Sequence, residues 1–146
     1  VHNLLTDTIT VYNSYLIDDP PSSYPKTLYR RTVIYKVQWT DDVHRSHSSE
    51  GRFFISKIAS VIIPKDANTG GKRFIEPKEY AKLPPGDSSH WTLATSDIIV
   101  KGVCPAEITD SYSIAQLKKD YNATDIQGYS DMTDQPYLPH WDVQGV

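Results

Sequence analysis

The chain has 146 residues, a length that suits one hydrophobic core. Counting Gly and leaving out Tyr, its apolar share is about 36%, against ~45–50% for typical globular domains, so a thin core that benefits from partner chains is expected. A net charge of -3 gives no basic footprint for tight nucleic-acid binding, and the single cysteine, Cys104, excludes an internal disulfide. There is no run of 18 apolar residues, and the opening Val1 to Leu5 lacks the basic and apolar stretches of a secretory signal, so a soluble protein with no membrane partner is expected.

In chain order, Thr8 to Tyr12 alternates as a short strand. The Asp18-Asp19-Pro20-Pro21-Ser22-Ser23 stretch then supplies turn residues for an irregular connection. The strongest signal follows. From Thr27 to Trp39 the odd positions Tyr29, Val33, Tyr35, Val37 and Trp39 are apolar or aromatic, interrupted only by Arg31, while the even positions are mostly polar. That period of two predicts a long core strand with its odd side chains buried, in an antiparallel sheet or barrel. Residues 40–52 hold one apolar side chain in thirteen, which predicts a long mobile loop, and loops of that length are commonly functional or disordered.

Phe53 to Pro64 reads as the next strand, ended by its proline, and Asn68-Thr69-Gly70-Gly71 as a turn. Pro77 at a first helical position predicts a helical turn before Pro84-Pro85-Gly86. Trp91-Thr92-Leu93, Asp97 to Gly102 and Glu107-Ile108-Thr109 read as short strands of a meander. Ser113 with Gln116 has capping-box spacing, and Ile114, Leu117 and Tyr121 share a helical face, so residues 113–121 read as a short helix. The tail alternates weakly from Asp125 to Tyr129 and closes with His140-Trp141-Asp142-Val143. The expected fold is mostly β: a single-domain antiparallel β-barrel or sandwich over residues 1–146, with one or two short helices and a loop at about 40–52.

Candidate chemistry is sparse. His44 and His47 have an H-x-x-H spacing but supply at most two of the three or four ligands zinc needs, so no metal is expected. Asn68 to Arg73 looks like a phosphate loop but lacks the G-x-x-x-x-G-K-[ST] frame, with Arg73 where a hydroxyl is required. Asp87, Ser88 and His90 lack a nucleophile elbow or oxyanion motif. The adjacent pairs Asp18/Asp19 and Asp41/Asp42 point to opposite faces in extended chain and cannot cooperate as acid and base. The Asn122-Ala123-Thr124 sequon reads as chance without a secretion signal. Neither an enzyme nor a cofactor is expected. The excess of Tyr, 10 residues, fits an interaction surface as well as it fits strand propensity.

The ordered set Ile9-Thr10-Val11-Tyr12-Asn13, Tyr29-Arg30-Arg31-Thr32-Val33-Ile34 with Trp39, and Val61-Ile62-Ile63-Pro64 resembles a family of minor capsid proteins of long-tailed bacteriophages of Gram-positive bacteria. Pro77-Lys78-Glu79-Tyr80, Trp91-Thr92-Leu93, Asp97 to Gly102, Glu107-Ile108-Thr109 and Pro139 to Val143 extend the resemblance from about residue 7 to the end. It departs at Ala94-Thr95-Ser96, where relatives tend to carry a Pro-Gly turn, and at Gln144, where they carry a small residue. The element layout is similar to that of head-closure, or stopper, proteins.

The resemblance implies a ring oligomer of the virion neck, assembled in the host cytoplasm. The ring would sit between connector or adaptor and tail proteins and pass packaged double-stranded DNA. It also implies a channel or gating role for the 40–52 segment, with Asp41, Asp42, Val43, His44, Arg45, His47, Ser49, Glu50 and Arg52 as its residues. The alternatives are another phage tail or minor capsid protein, or a monomeric β-barrel ligand-binding module.

Overall fold

The computed structural model describes residues 5–18, 20–47, 51 and 53–146; the side chains of 42–47 and 53–57 lie outside that description. Six strands close into an antiparallel barrel: β1 (Asp7–Ile17), β2 (Lys26–His47), β3 (Phe53–Pro64), β6 (Ile98–Lys101), β7 (Ala123–Met132) and β8 (His140–Gly145). Their order is β1-β2-β3-β8-β7-β6, and β6 returns to pair with β1. A separate parallel pair, β4 (Arg73–Phe74) and β5 (His90–Trp91), flanks the turn of helix α1 (Pro77–Tyr80). Helix α2 (Ile114–Asp120) precedes β7. No helix among the described residues is long and apolar enough to cross a membrane.

The barrel interior is filled. Ile9, Val11, Ile34, Val37, Trp39, Val61, Ile63, Ile99, Ile126 and Val143 form one core, which Trp91, Leu93 and Trp141 extend. A second core lies on the other face of β1 and β6, where Tyr12, Ile98, Val100 and Cys104 meet Leu117 of α2. Burial on both faces explains why Ile98-Ile99-Val100 is continuously apolar instead of alternating. The expected helix forms as its cap predicts: the Ser113 hydroxyl accepts from the Gln116 amide at 3.2 Å, although the Gln116 side chain turns to Asp120 instead of completing the box.

The expected register of β2 is half right. Arg30, Thr32 and Ile34 are buried, whereas Tyr29 and Val33 are half-buried and Tyr35 is exposed; beyond Lys36 the burial passes to Val37 and Trp39. Lys36 is the cause. Its φ of 60° makes it the extra residue of a β-bulge, since Asp7 pairs with Val37 but Thr8 pairs with Tyr35. One inserted residue moves every later side chain to the opposite face. On its side away from β1, the amide of Tyr35 donates to the Asn68 carbonyl at 3.1 Å in an isolated antiparallel bridge.

The expected loop at 40–52 is corrected as well, because β2 continues as strand to His47 and pairs with β3 from Gln38↔Ile62 to His47↔Phe53. Alternation reports a face that packs on a core, and backbone pairing without such a face leaves no periodic trace in the sequence. Two smaller expectations also change. Only His90–Trp91 of the Trp91 segment is strand, paired in parallel to β4, and Glu107-Ile108-Thr109 contributes a single bridge from Thr109 to Tyr112.

Candidate functional site

The feature that stands apart from the barrel is the far end of the β2–β3 hairpin. β1 accompanies β2 only as far as Val37, and β8 accompanies β3 only from Ala59. The six rungs from Asp42↔Ile58 to His47↔Phe53 therefore form a two-stranded ribbon with no third strand among the described residues. At the usual rise it is about 20 Å long. Neither of its backbone edges pairs with another strand among the described residues, whereas the middle of the barrel is closed by β6 on β1.

The base of the ribbon is fixed. The Trp39 amide donates to Asp7 Oδ2 at 2.9 Å and the Trp39 indole donates to Asp41 Oδ1 at 2.9 Å, with the ring itself in the main core. Of the residues expected in a gating loop, Asp41, Asp42, Val43, His44, Arg45 and His47 sit on β2, in register with Ala59 to Phe53. Ser49, Glu50 and Arg52 lie outside the described residues. Of the expected core strand, Val37 and Trp39 are in the core and Tyr29 packs against the second cluster.

Elsewhere several buried polar groups have structural partners. Asp97, almost fully buried, accepts from Asn13 Nδ2 at 3.0 Å, the Ser14 amide at 3.1 Å and Ser14 Oγ at 2.8 Å. Burial outweighs these bonds and raises its pKa above the ordinary carboxylate value. Asn13 also ties β1 to Thr92, giving Nδ2 to its carbonyl and receiving its amide. The Arg30 guanidinium stacks 3.8 Å from the centroid of the Tyr15 ring and donates to the Pro84 and Pro85 carbonyls, which fastens the α1 segment to β2.

The Asp87–His90 pair is real but local. His90 Nδ1 lies 3.0 Å from Asp87 Oδ2, and it is Ser89, not Ser88, whose hydroxyl joins them. The hydrogen bond from His90 holds the Asp87 pKa below its ordinary value. All three groups bond one another within four residues, which is a turn and not a nucleophile aligned by a distant base. Cys104 is a buried free thiol, as a small hydrophobe would be. Among the described residues no three His, Cys, Asp or Glu side chains converge as metal ligands.

The profile of a family of unknown function, DUF6751, matches residues 4–146. The chain belongs to that family. No curated protein and no solved structure matches it. Sequence reasoning read the β3 half of the ribbon, from Phe53 on, as strand, but took its β2 half for a loop. The readable signal was the β-branched and aromatic run Phe53-Phe54-Ile55, which continues a strand well before the core residues Val61 and Ile63 begin.

Proposed function

We propose that this family member is a non-enzymatic structural subunit of a long-tailed bacteriophage virion, a head–tail connector of the head-closure kind that acts as a ring. The observation that carries the reading is the ribbon: six rungs with no third strand among the described residues, running on past the closed part of the barrel. A two-stranded hairpin alone in water is marginal, so a ribbon of this length gains from a third strand or a packed face supplied by another chain. Subunits that each offer such an arm to the next make a heterologous contact, which closes into a ring when the rotation per step closes. The thin core and the resemblance to phage minor capsid proteins point the same way.

A filled interior argues against the rival reading of a ligand-binding barrel with an internal cavity, since bulky aliphatic side chains occupy the space a ligand would need. In this reading the ring's neighbours are adaptor and tail proteins, and packaged double-stranded DNA passes through its centre.

The test is a phage carrying this gene with residues 43–57 replaced by a short Gly/Ser turn. The expected result is particles whose filled heads lose DNA or fail to join tails. Normal infectivity with intact genomes would overturn the assignment.

A further inference from the structure

A second site lies away from the ribbon, and the ring reading does not enter into it. A cavity of about 290 Å³ opens beside the β4–β5 pair, with Lys65, Thr69, Lys72 and Arg73 around it and the rings of Phe74, Trp91 and Trp141 forming its wall. The lining holds no carboxylate. None of the three cations has a carboxylate within 4 Å among the described residues, although acidic residues outnumber basic ones in the chain, 18 to 15. Three cations without a direct ion pair among the described residues thus surround one cavity in an acidic protein; Asp131 acts on Lys65 and Asp87 on Lys72 from farther off, and the lining itself keeps a local field favouring an anion.

Two further observations agree. The Trp141 indole N–H is buried, with no acceptor among the described residues, and belongs to a residue lining the cavity. A buried donor left unpaired is costly and calls for an explanation. The Lys72 ammonium is held at 2.8 Å from the Arg31 carbonyl and 2.9 Å from Thr32 Oγ1, so one of its three protons is free of these bonds. Burial, then the nearby Arg30 and Arg31, lowers the Lys72 pKa, a cost that an anion in the cavity would relieve.

We propose that this cavity is a binding site for a phosphate-type oxyanion, held by Lys65, Lys72 and Arg73. A tetrahedral oxyanion presents several acceptors to converging ammonium and guanidinium donors, and such charge-assisted bonds are the strong ones. The same chemistry could come from free phosphate or a nucleotide, or from the phosphodiester backbone of a nucleic acid.

The experiment titrates the purified full chain with inorganic phosphate, with a 5′-nucleoside monophosphate and with a mixed-sequence duplex oligonucleotide. Binding is followed by tryptophan fluorescence, since two of the 3 Trp wall the cavity, and by calorimetry. Saturable, salt-weakened binding is expected in at least one arm. The double variant Lys65→Gln with Arg73→Gln should weaken it by roughly tenfold or more at an unchanged melting temperature. The variant Lys101→Gln with Lys119→Gln, an equal charge change on β6 and α2, should leave it within about twofold. Binding of the small anions assigns a free ligand, and binding of the duplex alone assigns a nucleic-acid backbone. Absence of saturable binding in all three arms, or equal loss in both double variants, overturns the site.

Discussion

β2 belongs to two different structures along its length. From Lys26 to Asp41 it is a barrel wall, paired to β1 and then β3, with its buried residues inside a closed core; from Asp42 to His47 it is one half of a free ribbon. The wall is held by apolar burial, which is worth ~25 cal/mol per Å² and is indifferent to any partner chain. The ribbon has its backbone ladder and no third strand among the described residues. Stability and assembly are thus assigned to different segments of one strand, and mutations should separate them.

The largest separation is expected at the bulge-defined register. Ile34→Asp places an unpaired charge in the barrel core and should cost about 4 kcal/mol or unfold the protein, whereas Val33→Asp on the half-buried face should cost about 1 kcal/mol. Denaturant melts of the two variants that coincide would contradict the register. Next comes Gly145→Ala. A Cβ at this position would stand 1.9 Å from Thr124 Oγ1 and 3.2 Å from the Asp125 carbonyl oxygen, so the Thr124 side chain must turn away, losing its bond to that carbonyl, or the strand must shift, at a cost of about 2 kcal/mol. Adding Thr124→Ala should recover part of that loss, and no recovery would locate the strain elsewhere.

Smaller effects follow from two carboxylates of opposite behaviour. The folded pKa of Asp97 is raised above 3.8, so the native state binds its proton more tightly, and this group's contribution to stability falls as pH rises from 3.8 through its folded value. Asp87 has a lowered folded pKa; its contribution is present above 3.8 and is lost as pH falls through its folded value. Urea midpoints measured across acidic pH should therefore show the wild type gaining on Asp87→Asn as pH rises and losing on Asp97→Asn. Parallel profiles for the two variants would contradict this assignment.

The smallest effect on stability is expected in the ribbon itself. Replacing residues 43–57 by a short turn should change the unfolding free energy by less than about 1 kcal/mol, because a two-stranded ribbon with no third strand among the described residues is marginal by itself. A large drop in melting temperature would mean that the ribbon packs on the barrel.

How much of this was legible in the sequence follows the same division. Segments that bury one face were readable: the strands around Ile9, Val61 and Val143, and the capped helix over Leu117. Features set by hydrogen bonding or by a single backbone dihedral were not. Nothing in the identity of Lys36 marks it as a left-handed bulge residue, a conformation more usual for Gly, and so the alternation from Tyr29 to Trp39 was read as one unbroken face. The parallel pairing of Arg73 and Phe74 with His90 and Trp91 joins segments too short for any period to register. The cationic cavity takes Thr69, Lys72 and Arg73 from a segment read as a turn, which it is at Gly70-Gly71; what completes it is the tertiary approach of Lys65 and Trp141, which no local motif encodes.

The closure of the barrel by β6 carries a consequence for how the chain folds. β1, β2 and β3 are neighbours in sequence and can form as a local meander, but β1 acquires its other neighbour only when Ile98 to Lys101 arrives, some 90 residues later in the chain. Until then the β1 edge is bare. During synthesis a three-stranded sheet with that exposed edge precedes the segment that seals it, so the four-residue clasp sets the interval in which two nascent copies can pair wrongly. Weakening β6 should therefore lower the yield of properly folded protein more than its share of the finished structure's stability would suggest.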